Sequence, residues 1–292
     1  MKMKNFQIKK NKKHGFFSVE PLPNEEELNK FYNELYYQKN TGPYSNSYSS
    51  EEIKYFEEDS IILEHLYSKS FLNSSRKSFL DLGCGEGYQS NYFYKKKWDL
   101  KSFDYSDFGI KNHNPHLITF FEKGNLKSFL NNNLIKYSII MLKNVLEHVI
   151  DPISLLKNIK NVMDEESLLF IDVPNDYSKF QKFLIDKEYS KNTWFCPPQH
   201  LHYFQFSSIR NLLIGEGFEI VSIQSGFPIE QFLVNDFSNY VKKKETGKSA
   251  HFSRVEISNF LISQGINEYI NYRESLSRME FGRDIKVVLK LK

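Results

Sequence analysis

Cysteine is nearly absent: Cys84 and Cys196 are the two in 292 residues. They cannot build a disulfide framework, and they suit a reducing compartment. Long apolar runs are missing as well. Tyr137 to Leu142 is typical of the longest, far short of the roughly 20 residues a membrane-spanning helix needs. Charge of one sign is not in excess either. Against 36 Asp and Glu stand 39 Lys and Arg, and dispersed lysines at net +3 give no basic stripe for nucleic acid. The lysine-rich start, Met1 to Lys13, is followed by no signal-like apolar stretch, so a cytoplasmic protein is expected. No Gly-x-Ser-x-Gly occurs, which argues against a serine hydrolase. What the chain does have is an apolar fraction of 40%, enough for a core and against wholesale disorder.

The order of patterns points to an α/β fold. Pro23-Asn24 followed by Glu25, Glu26 and Glu27 reads as a helix start, with Leu28, Phe31, Tyr32 and Leu35 on one stripe. The tyrosine-dense stretch after it (Tyr36, Tyr37, Tyr44, Tyr48) surrounds Gly42-Pro43 and reads as a loop, either packed on the sheet or closing as a lid. A helix is expected from Glu51 to Lys69. Strand, loop and helix then alternate: strands at Phe79–Leu82, Trp98–Asp104, Leu117–Phe121, Tyr137–Leu142, Ser167–Val173 and Phe218–Ile223. Asp151-Pro152 opens one helix, and Ser207 or Ser208 caps another that Gly217 closes. Such alternation implies a Rossmann-like, mostly parallel seven-stranded sheet with helices on both faces. The expected division is an N-terminal helical appendage (1–58), the core (59–225), a mostly helical insertion (226–282) and a last core strand (283–292). Within the insertion, Lys242-Lys243-Lys244 fits a solvated face or a contact to phosphates, and the segment suits an acceptor contact or a homodimer contact.

Gly83-x-Gly85-x-Gly87 follows a strand and opens a helix, where glycines let backbone approach a ligand beside a helix N-terminus. Asp104 ends the next strand at about the 20-residue spacing that suits a carboxylate accepting hydrogen bonds from a ribose diol. Asp81 before the loop and Glu86 inside it would repel a pyrophosphate and favour a cationic ligand. S-adenosyl-L-methionine carries an ammonium and a sulfonium, so charge favours a methyl donor over a nicotinamide cofactor.

Phe79-Leu80-Asp81-Leu82-Gly83-Cys84-Gly85-Glu86-Gly87 resembles the first motif of class I S-adenosylmethionine-dependent methyltransferases. Asn144-Val145-Leu146-Glu147-His148-Val149 with Asp151-Pro152 resembles the segment after the fourth strand in the branch holding quinone-precursor and sugar methyltransferases. Val173-Pro174-Asn175 and Pro198-Gln199-His200-Leu201-His202-Tyr203-Phe204 resemble members that act in surface-polysaccharide or nucleotide-sugar pathways. The resemblance implies that Asp81, Gly83 and Gly85 line the methionine and ribose of the donor. It implies Asp104 at the ribose diol, Tyr105 and Asn125 at the adenine, and Asn144 under the donor.

A hydroxyl acceptor is a poor nucleophile until its proton leaves, and histidine is the usual base. His148 follows the fourth strand and His200 sits in the loop after the fifth, so both are candidate bases. Asn175, His202 and Tyr203 are candidate acceptor contacts. His202 is expected to point away from His200 if that piece is extended. The His-x-His pair with Glu147 or His148 could hold a divalent ion, but no third or fourth ligand at a recognisable spacing supports that, so no metal is expected. The leading expectation is methyl transfer to a small molecule, a sugar or nucleotide-sugar hydroxyl. The alternatives are a quinone-precursor phenol or other lipid-like acceptor, or a donor-binding partner protein without turnover.

Overall fold

The computed structural model describes residues 6–31 and 47–292. Tyr32, Leu35, Tyr36, Tyr37, Gly42, Pro43 and Tyr44 lie outside the described residues, so the lid expectation retains only Tyr48. The described chain opens with a hairpin, β1 (Gln7–Lys10) and β2 (Phe17–Glu20), followed by α1 (Glu25–Phe31). Asn24 and Glu27 exchange side-chain to backbone hydrogen bonds at 2.8 and 3.0 Å, the reciprocal cap their spacing predicts. Helix α2 (Ser50–Ser70) starts on a second such cap, Ser49 with Glu52.

The alternating part comprises β3 (Ser78–Leu82), α3 (Tyr88–Lys95), β4 (Asp99–Asp104), α4 (Phe108–His113), β5 (Phe121–Lys123), α5 (Leu126–Asn132), β6 (Ile139–Lys143), α6 (Pro152–Ile159), β7 (Leu168–Pro174) and α7 (Lys179–Asp186). Then come β8 (His202–Tyr203), α8 (Phe206–Gly215), β9 (Phe218–Ser225), α9 (Gly247–Ser263), α10 (Ile266–Arg278) and β10 (Asp284–Leu291). Seven strands form one sheet in the order β5-β4-β3-β6-β7-β10-β9. Its first five strands run parallel, and β10 lies antiparallel between β7 and β9. The Rossmann-like, mostly parallel sheet read from the sequence is the one observed.

Alternation along the central strands serves two cores. Ile140 and Leu142 of β6, with Leu169, Ile171 and Val173 of β7, pack on α5, α6 and α8. Ile139, Met141, Leu168 and Phe170 face the other way, onto Leu63 and Tyr67 of α2 and Tyr92 and Phe93 of α3. Each such fully buried aliphatic side chain contributes about 1.5–3 kcal/mol, which is why both faces must be covered. Helix α10 packs on α2 through Tyr269, Ile270 and Ile62. Among the described residues no helix is long and apolar enough to cross a membrane.

Three local readings are corrected. Pro115–Phe120 winds as a 3-10 helix, and the strand expected at Leu117–Phe121 begins at Phe121 instead. Pro115 fixes the helical φ of the first position and pulls that apolar stretch into a turn. Helix α8 is capped by Gln205 in extended conformation, with Ser208 answering as its third residue at 2.9 Å. The N-terminal part is not helical alone, because β1 and β2 form a three-stranded sheet with β8.

Candidate active site

At the end of β3 the chain turns through Gly83 at φ 82° and Gly85 at φ 53°. A Cβ on Gly83 would lie 2.3 Å from Val145 Cγ2, so the position excludes any side chain twice over. The turn is braced from the neighbouring strand. The Gly83 and Cys84 N–H groups donate to the Phe103 carbonyl at 2.8 and 3.1 Å, and the Gly85 N–H donates to Asp104 Oδ2 at 2.9 Å. Asp81 is buried with Ser90 Oγ donating to it at 2.6 Å, and burial pushes its carboxyl up to about 7. Burial likewise raises Asp104, against the backbone N–H groups of Ser106 and Gly85.

Glu86 departs from the sequence argument. Its carboxylate turns away from the cavity, taking the Tyr48 hydroxyl at 2.8 Å and standing 3.1 Å from His113 Nε2. Of the acids read around the glycine turn, those that line the cavity are therefore Asp81 and Asp104.

Beyond the carboxyl ends of β4, β3 and β6 lies a cavity of about 710 Å³. Strand order reverses direction between β3 and β6, the place where open α/β sheets bind ligands. Asp81, Gly83, Gly85, Asp104, Tyr105, Asn125, Asn144, His148 and His200 all line it. Asn125 also caps α5 by accepting from the Ser128 N–H at 3.1 Å, and Asn144 stands in left-handed backbone at φ 53°.

Asn175, His202 and Tyr203 do not line the cavity. Asn175 is buried and donates to the carbonyls of Gly282 and Glu280, tying β7 to the turn before β10. Both nitrogens of His202 are engaged: Nδ1 accepts from Ser18 Oγ at 2.8 Å and Nε2 donates to the Val149 carbonyl at 2.9 Å. Burial pushes that ring down to about 4, so it stays neutral. Tyr203 is buried in the N-terminal core beside Val19 and Leu28. These three make structural contacts that hold the loop in place, with β8 joining a small sheet whose other strands lie far away in sequence.

Across the cavity from the glycine turn, three titratable groups meet. The Glu147 carbonyl accepts from the Leu201 and His202 N–H groups at 2.8 and 3.1 Å, which folds the loop carrying His200 back onto the end of β6. His148 Nδ1 lies 2.6 Å from the Gln199 carbonyl. A carbonyl only accepts, so Nδ1 bears the proton and the lone pair is on Nε2. Burial and the neighbouring His200 push His148 down to about 3. His200 goes the other way: burial lowers it, but the Asp176 carboxylate, Cys196 and Glu147 outweigh burial and bring it up to about 10. Neither histidine is thus a base poised near neutrality: burial holds His148 neutral, and His200, with Nδ1 3.7 Å from Asp176 Oδ2, is held towards its charged form.

Glu147, considered from the sequence only as a possible metal ligand, has an unusual environment. Its side chain is 1% exposed, neither oxygen makes a hydrogen bond among the described residues, and burial pushes it up to about 8. Its Oε1 lies 3.6 Å from His148 Nε2. Ligand atoms of Glu147, His148 and His200 stand within 4.8 Å of one another, a grouping that takes in His200 of the His-x-His pair and leaves out His202.

The model of a methyltransferase domain matches residues 57–223. The chain belongs to the methyltransferase-domain family. Its class I, S-adenosylmethionine-dependent character is the one the resemblance implied. Among curated proteins, a ubiquinone biosynthesis O-methyltransferase of Glaesserella parasuis serovar 5 (strain SH0165) is 30% identical over 123 residues, 39% of this chain and 52% of that protein. The chain thus spans about half the length of that relative. Two solved structures of the plantazolicin methyltransferase BpumL, with SAH and a monoazolic or triazolic desmethylPZN analog, overlay at TM-score 0.50 each. They are 17% and 18% identical, cover 84% and 82% of this chain and 86% and 85% of theirs, and so speak to the fold alone. The methyltransferase cavity fits a donor of this kind on two observations. The turn at Gly83 and Gly85 brings bare backbone to the cavity wall, and the carboxyl groups of Asp81 and Asp104 line the same wall.

Proposed function

We propose that this chain transfers a methyl group from S-adenosyl-L-methionine to a hydroxyl of a small acceptor, with His148 taking the hydroxyl proton. The donor, when bound, supplies a methyl carbon on a cationic sulfur for in-line displacement. Asp104 would accept from the ribose diol, with Tyr105 and Asn125 on the adenine side and Asp81, Gly83, Gly85 and Asn144 along the amino-acid side. The observation that carries the acceptor half is the His148 tautomer, fixed by the Gln199 carbonyl with the Nε2 lone pair toward Glu147. The His200 cation nearby would favour an oxyanion developing on the acceptor.

The acceptor end of the cavity favours a phenol, the alternative drawn from the sequence. Leu28, Val149, Ile150 and Leu155 provide an apolar wall beside the histidines. Similarity to a ubiquinone biosynthesis O-methyltransferase supports the same class. The sugar or nucleotide-sugar reading, within surface-polysaccharide synthesis, draws on Asp151, Ser154, Asn158 and Gln199 at the rim, which can bond to hydroxyls.

Incubation with isotope-labelled donor and a panel of dihydroxybenzenes and nucleotide sugars, read by mass spectrometry, tests the proposal. Label on a phenolic oxygen is the expected result. Label on a sugar oxygen would select the second reading. Absence of transfer to every member, with donor bound, would leave a binding protein without turnover and overturn the proposal.

A further inference from the structure

The cavity is chemically graded from one strand to the next. Its β5 end is lined by Phe103, Gly124, Asn125 and Leu126, a wall for a flat base. Asp104 stands in the middle, where a diol belongs. Its β6 end carries Asp81, Lys143 and Glu147, groups that match the charged amino-acid end of the donor. That end bears an ammonium, which acids attract, and a carboxylate, which the same acids repel. Among the described lining residues the lysines are Lys127, exposed beside Asn125 at the far end, and Lys143.

Lys143 is held by a buried ionic cluster. Its Nζ lies 2.6 Å from Asp59 Oδ2, and Asp59 has no solvent exposure. The same carboxylate serves Lys286 at 2.8 Å and Arg273 of α10 at 2.9 Å. Lys286 has a second acid in Asp172 at 2.5 Å, and Arg273 faces Glu58 at 3.8 Å. Lys143 makes its close ion pair with Asp59, shares that acid with two other cations, feels Asp81 and Asp172 at longer range, and at 25% side-chain exposure opens onto the cavity. It is the member of the cluster with charge to offer a ligand.

We infer that Lys143 binds the carboxylate of the donor's amino-acid end, and that Asp59, itself clamped by Arg273 and Lys286, positions it. The inference rests on the donor lying as proposed above. It gives the helices of residues 226–282 a part in the site, since α10 reaches the cavity through Arg273, Asp59 and Lys143 in turn.

Titration calorimetry with S-adenosylhomocysteine and with S-adenosyl-3-thiopropylamine, the same molecule without its carboxylate, tests it. Wild-type protein is expected to prefer the carboxylate-bearing ligand by about tenfold or more, the scale of a charge-assisted hydrogen bond. In Lys143→Met that preference is expected to vanish, the thiopropylamine binding as well as before or more tightly because a like charge has gone. Equal weakening of both ligands, or an unchanged preference, would overturn the inference. Should the variant not fold, the wild-type comparison decides: a preference below about twofold overturns it. A wild type that binds neither ligand would instead bring down the donor assignment itself.

Discussion

Two buried charged clusters flank the end of β6, and they are built on opposite terms. Around Asp59, each acid and base has an opposite charge within reach: Lys143, Lys286 and Arg273 against Asp59, Asp172 and Glu58. Around Glu147, the carboxylate makes no hydrogen bond among the described residues, one histidine is neutral and the other cationic. Pairing lets the first cluster serve as a joint between α2, α10 and the sheet. Incomplete pairing in the second keeps polar groups ready for a substrate, at a cost in stability. The difference separates a structural cluster from a chemical one more sharply than residue type does.

Substitutions can break that contrast. Asp59→Asn leaves the buried Arg273 and Lys286 and the half-buried Lys143 short of their shared carboxylate, and about 3–5 kcal/mol of stability should be lost. Urea denaturation measures it, and a loss below about 1 kcal/mol would mean the cluster is not the joint it looks to be. His148→Ala should leave the fold and donor affinity intact while lowering kcat about 10²–10⁴-fold, the worth of a positioned base. Full turnover in that variant would end the base assignment. The smallest effect belongs to Glu147→Gln. Glu147 is raised from 4.5 to about 8 on folding, so the native state holds more protons than the unfolded chain between those values, and stability falls as pH rises through them. The Gln variant lacks that slope. Its melting temperature should exceed wild type above pH 7 and lose the advantage below about pH 4.5; a wild type with the same pH slope as the variant would contradict the burial of an uncompensated acid.

The donor half was legible because it is local. Strand, glycine turn, helix and Asp104 all lie within one βαβ unit, and the strands at β6 and β7 were placed from their apolar runs. The acceptor half was not. Glu147 and His148 meet His200 because the Leu201 and His202 N–H groups bond to the Glu147 carbonyl, a contact across more than fifty positions. Nothing near His200 announces it. Asn175, His202 and Tyr203 were misplaced for a related reason: β8 is two residues long and pairs with β2, whose own partner β1 is exposed along its whole length. A strand without apolar alternation leaves no pattern to find. Glu86 was read as a ligand-facing acid from its place in the glycine turn, but Tyr48 and His113 draw it to the other side.

Nitrogen-15 NMR of the histidine side chains tests the central claim most directly. His148 should show a protonated Nδ1 and an unprotonated Nε2 at pH 7, and remain neutral to below pH 5. A protonated Nε2, or titration near the ordinary histidine value of about 6.5, would contradict it.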